Sequence, residues 1–110
     1  MIIDRNNNIT LITQETATIE QLVKRIGESY DKFKNDNIIV NLSSLGNIEI
    51  EDVIEFLQVS NKHRKAKHSF VLVTNKFDFD EAPDEIIIVP TLQEAYDIIE
   101  MEEMERDLGF

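Results

Sequence analysis

Two short runs, Phe70-Val71-Leu72-Val73 and Ile86-Ile87-Ile88-Val89, are apolar at consecutive positions, not alternating ones, and Ile38-Ile39-Val40-Asn41-Leu42 reads as a further strand. Consecutive apolar residues in runs of this length predict strands buried on both faces, as in a parallel sheet covered on each side. Between and around them lie stripes at helical spacing. Thr18-x-x-Gln21 is a capping-box pattern ahead of Ile19, Leu22, Val23, Ile26, Tyr30 and Phe33, which predicts one helix ending near Lys34. Ile50, Val53, Ile54 and Leu57 predict a second helix from Glu49 to about Arg64. Thr91-x-x-Glu94 caps a third stripe of Leu92, Ala95, Tyr96 and Ile99.

The remaining elements fit around this frame. Ile2-Ile3 and Ile9-Thr10-Leu11-Ile12-Thr13 flank Asp4 to Asn8, whose asparagines tolerate positive φ, so an N-terminal β-hairpin is expected. Glu85 to Val89 is the last strand. Residues 75–84 form a polar loop in which Phe77 and Phe79 pack down. The fold class is therefore α/β: one domain over residues 1–110, with a mixed sheet, an N-terminal hairpin and about three packing helices. Three helices leave part of a sheet face for a partner or a second copy, so a homodimer is an expectation.

Charge and composition exclude several function classes. The 110 residues carry 22 acids against 11 bases, a net charge of −11. Affinity for nucleic acid comes mainly from Lys and Arg neutralising phosphates, so no nucleic-acid role is expected. No apolar run approaches the roughly 20 residues of a membrane helix, and no membrane partner is expected. Met1-Ile2-Ile3-Asp4-Arg5 does not read as a signal peptide. The chain has no cysteine, which removes disulfides and thiolate chemistry and suits a cytoplasmic location.

No catalytic constellation emerges. Gly46 stands alone, without a phosphate-binding glycine pattern. His63 and His68 are five apart and crowded by Lys62, Arg64, Lys65 and Lys67, so they predict a solvated helix end and no metal site. Serines 29, 43, 44, 60 and 69 have no evident base beside them. The segment from Glu94 to Asp107 holds seven acids against Arg106 alone. Such acids oppose the helix dipole, so the last turn is expected to fray. No catalytic residue, cofactor or metal is assigned.

Two stretches carry a family resemblance. Ile39-Val40-Asn41-Leu42-Ser43-Ser44-Leu45-Gly46-Asn47-Ile48-Glu49 and Pro90-Thr91-Leu92-Gln93-Glu94-Ala95 resemble the STAS domains of anti-sigma-factor antagonists. The longer stretch is similar to that family's strand ending in Asp-Leu-Ser, then a short turn and an apolar-acid pair before a helix. The shorter one is similar to its last strand and Thr-capped helix. The resemblance implies a non-catalytic regulatory protein–protein interaction, with an anti-sigma factor or serine kinase as partner. It implies a partner surface of Ser43, Ser44, Gly46, Asn47, Glu49, Glu51, Asp52 and Glu55. The family's phospho-acceptor is not retained. Glu49 stands at its aspartate, Ile50 and Glu51 at its hydroxyls, Asp52 at its glycine and Val53 at its leucine, while Asn41 replaces the acid at the strand end. The alternative from the residues themselves is an assembly module that self-associates, or docks on a larger protein, through an uncovered sheet face.

Overall fold

A computed structural model describes residues 1–15 and 18–109. The expected order of elements is present: β1 (Ile2–Asn6), β2 (Ile9–Thr13), α1 (Ile19–Glu28), α2 (Tyr30–Phe33), β3 (Asn37–Asn41), α3 (Ile50–Lys65), β4 (Phe70–Val73), a 3-10 turn (Phe79–Glu81), β5 (Ile87–Val89) and α4 (Leu92–Asp107). The five strands lie in sequence order in one sheet. Of these, β1 is antiparallel to its neighbour, and β2 through β5 are parallel.

The consecutive apolar residues divide by parity. Ile38, Val40, Leu42, Phe70 and Leu72 join Ile12 beneath Leu22, Ile26, Val53 and Phe56 of α1 and α3. Ile39, Val71, Val73 and Val89 meet Ala95 and Ile99 of α4 on the other face. Burying both faces in this way explains why these strands carry no alternation. Among the described residues α4 alone covers the second face, and it sits over β3, β4 and β5. Ile9 and Leu11 of β2 stay half-buried there, and every residue of β1 is exposed.

Three local expectations are corrected. The hairpin loop shrinks to Asn7 and Asn8, because β1 runs on to Asn6 and Asn7 alone takes the left-handed turn, at φ +57°. The single helix expected from Thr18 to Lys34 breaks at Ser29 (φ −101°, ψ 6°), and the bend seats Tyr30 and Phe33 in the core. Phe77 packs down as expected, but Phe79 is 41% exposed and only meets Phe77 edge-on. The Thr18 capping box forms, with Thr18 accepting from the Gln21 amide at 3.2 Å and Gln21 accepting from the Thr18 amide.

The acidic end of α4 also departs from expectation, since the helix continues to Asp107. Its acids find donors at the amino ends of the strands. Glu103 accepts from Asn8 at 2.9 Å and Asn37 at 2.8 Å. Glu102 accepts from the Ser69 hydroxyl at 2.6 Å and pairs with Arg64 at 3.1 Å. Arg106 donates to Ser69 and to Asn37. These bonds outweigh the unfavourable dipole term, which amounts to roughly 0.3–1 kcal/mol per charge. Among the described residues no helix is long and apolar enough to cross a membrane.

Candidate functional site

The turn between β3 and α3 lies at the carboxyl ends of the parallel strands, where sheets of this class usually bind their ligands. Asn41 closes β3 and organises the turn after it. Its side-chain oxygen accepts from the Ser43 amide at 3.1 Å and from the Ser43 hydroxyl at 2.6 Å. This is an asparagine-led turn that takes over the backbone groups a strand would have paired. Leu45 N–H donates to the Leu42 carbonyl, and Ile48 N–H donates to the Lys76 carbonyl at 2.9 Å. The Lys76 ammonium donates in turn to the Leu45 carbonyl at 3.3 Å. Ile48 is buried and anchors the exit of the turn.

Between these anchors the side chains face solvent. Ser43, Ser44, Gly46, Asn47 and Glu49 are all exposed. Glu49 caps α3 in extended conformation, and its backbone amide donates to the Asp52 carboxylate at 3.0 Å. Glu51 and Asp52 occupy the first helical turn, where a carboxylate is favoured by the dipole. Replacing Asn41 by Ala removes the acceptor of both Ser43 donors. Because they are exposed, the cost is only about 0.5–1 kcal/mol, and the expected signature is faster amide exchange of Ser43 with a nearly unchanged unfolding midpoint.

The structure divides the expected site into two groups. Glu51, Asp52 and Glu55 meet Thr18, Ile19 and Glu20, at the start of α1, around an open cleft of about 390 Å³. Ser43, Ser44, Gly46 and Asn47 form none of its walls. The two helix amino termini thus face outward together under four carboxylates. Glu20 and Thr18 were not part of the expected surface, since nothing local in the sequence places the start of α1 beside the start of α3. Lys76 was also missed, because its role depends on the path of the loop after β4.

The histidines require a correction. His63 is not at a solvated helix end but fully buried, 0% exposed. Its Nε2 lies 2.6 Å from the Asp36 carbonyl, which can only accept, so Nε2 carries the proton. Nδ1 therefore accepts from the Tyr30 hydroxyl at 2.7 Å. Burial holds the Tyr30 phenol above its ordinary value of 10.0, which keeps it a donor. Burial lowers the pKa of His63, the Asp36 carbonyl bond partly restores it, nearby His68 lowers it further, and the Asp36 charge raises it again. Lys67, two residues past the end of α3, lies in the left-handed region (φ +73°), a position usually given to glycine. That reversal stacks the His68 ring on His63 at 5.2 Å, despite the spacing of five.

This histidine cluster lies near the end of α3, thirteen residues beyond the helix start that follows the Ser43 turn, or about 20 Å at the helical rise. No protein-family model matches this chain, and no curated protein matches it. Among the described residues no group of three or more His, Asp or Glu is arranged to hold a metal ion. What the turn offers chemically is therefore a fixed, solvent-facing set of carboxylates, hydroxyls and amide groups.

Proposed function

We propose that this chain is a non-catalytic regulatory domain of the STAS kind, which docks a protein partner through the Ser43–Asp52 turn and the first turns of α3. The observation that carries this reading is the state of Ser43: its hydroxyl donates to Asn41 and the turn around it is pinned from both sides. A serine so held has no base at hand and acts as part of a shaped surface. The order of elements agrees with the family resemblance, with a strand ahead of Ser43 and a helix behind Glu49.

The partner's contact surface is cationic, because Glu20, Glu49, Glu51, Asp52 and Glu55 are the charges it meets. By resemblance it is an anti-sigma factor or a serine kinase. Glu51 stands where the family carries a hydroxyl, so a negative charge is present there without phosphorylation. The charge at that position is therefore fixed, and the domain is held in one signalling state.

The test neutralises three charges together, Glu49→Gln, Glu51→Gln and Asp52→Asn. The asparagine retains an acceptor for the Glu49 amide, so the helix start survives. Crosslinking in lysate followed by mass spectrometry is expected to place wild-type crosslinks within residues 43–55 and to lose them in the triple variant. Affinity for the captured partner should fall at least about tenfold, equivalent to about 1.4 kcal/mol. Equal capture by both proteins would overturn the reading.

A further inference from the structure

The outer side of α4 presents Met101, Met104 and Leu108, which are 50%, 60% and 72% exposed. Spaced at i, i+3 and i+7, they form one apolar stripe of the kind that anchors a helix in a groove. Acids surround it: Glu100, Glu105 and Asp107 are exposed beside it, with Glu103 half-buried. On the opposite side of the sheet, α1 and α3 leave an open groove of about 270 Å³ lined by Val23, Lys24, Gly27, Tyr30, Gln58, Val59 and Lys62. Its charged residues are both lysines, although the chain as a whole carries −11. Gly27 faces this space, and a Cβ there would meet nothing within 4 Å.

We propose that the Met101–Met104–Leu108 stripe of one copy seats in the Lys24–Lys62 groove of a second copy. Charge decides the arrangement. Pairing two stripes about a two-fold axis would set Glu100, Glu105 and Asp107 against their own equivalents, and like charges face to face oppose that contact. The groove offers the same apolar floor with the opposite sign. Stripe and groove lie on opposite faces of the sheet, so the contact is heterologous and the assembly grows head to tail, not into a closed dimer. This inference is independent of the Ser43–Asp52 reading, since none of its residues belongs to that surface.

Two variants of the full chain test it. Gly27→Leu fills the groove; Gly27 lies in the last turn of α1 and a Cβ there meets open space, so loss of assembly does not come from a clash within the fold. Met104→Glu puts a charge in the stripe and changes only an exposed side chain. In sedimentation velocity, the wild-type mass should rise continuously with protein concentration and fall back as salt is added. Each variant alone should stay monomeric. An equimolar mixture should form a one-to-one complex that grows no further, because Gly27→Leu supplies a stripe and Met104→Glu supplies a groove. A monomeric wild type at all concentrations, a wild type that stops at a dimer, variants that assemble as the wild type does, or a mixture that stays monomeric would each overturn the proposal.

Discussion

Replacing His63 by Ala lowers unfolding free energy by about 3–5 kcal/mol in urea titration. The ring is wholly enclosed, stacked on His68 and edge-on to Tyr30 and Phe70. Truncation empties that space and also leaves the buried Tyr30 hydroxyl and the Asp36 carbonyl without partners, each a cost of about 1–3 kcal/mol if water does not replace the imidazole. Against a typical total of about 5–15 kcal/mol, the variant approaches the limit of folding.

The same residue sets a pH dependence. The folded-state pKa of His63 is depressed below its ordinary value of 6.5. Between the two values the unfolded chain binds more protons than the folded one, so stability rises with pH in that window. The contribution is complete above 6.5, declines as pH falls below it, and levels off under the depressed folded value. Urea midpoints taken at steps from about pH 8 to about pH 5 should show this decline in the wild type and not in His63→Ala. A flat wild-type profile would contradict the buried neutral imidazole.

The second large effect is at Asp36. Its carboxylate accepts from Arg5 Nε at 3.0 Å and from the Thr10 hydroxyl at 2.9 Å, and the Arg5 Nη2 contact is 2.9 Å. The Arg5 side chain is 60% exposed, so the ion pair itself contributes little. Thr10 is the costly partner, because it is fully buried and Asp36→Ala leaves its hydroxyl with no acceptor. The expected loss is about 2–3 kcal/mol, and Asp36→Asn, which keeps an acceptor, should lose about half of that. Equal losses for Ala and Asn would place the effect on the charge and not on the orphaned hydroxyl.

Much of the architecture is legible in the sequence because local rules and packing agree. Phe70 to Val73 reads as a doubly buried strand and lies between two layers of helix, whereas Ile86 to Val89, read the same way, is an edge strand that stays half-buried at Ile87 and Ile88. Thr18 and Thr91 mark helix starts, and each accepts a bond from the third residue onward. The turn at Ser43 is legible for the same reason, since asparagine and serine make their bonds within two residues.

The misses share a different cause. His63 is flanked by bases that point to water, while the groups that bury it, Tyr30 and Asp36, are 33 and 27 residues away. A sequence window does not contain them. Arg106 and Glu102 look like unbalanced charges at a helix end until β3 and β4 bring Asn37 and Ser69 beneath them. Of the candidate site, Glu51, Asp52 and Glu55 are visible as a helix start, but Glu20 joins them only through the packing of α1 on α3.

The two ends of the sheet have different freedoms. At the amino ends of the strands, Asn37, Ser69, Glu102, Glu103 and Arg106 bind α4 to the sheet and Arg64 ties α3 to Glu102, so a change in any of them disturbs several neighbours. At the carboxyl end, Ser43, Ser44, Gly46 and Asn47 rest on backbone bonds from Leu42 and Lys76 and hold no layer in place. Recognition can therefore drift at one rim, residue by residue, while the other rim keeps the scaffold fixed.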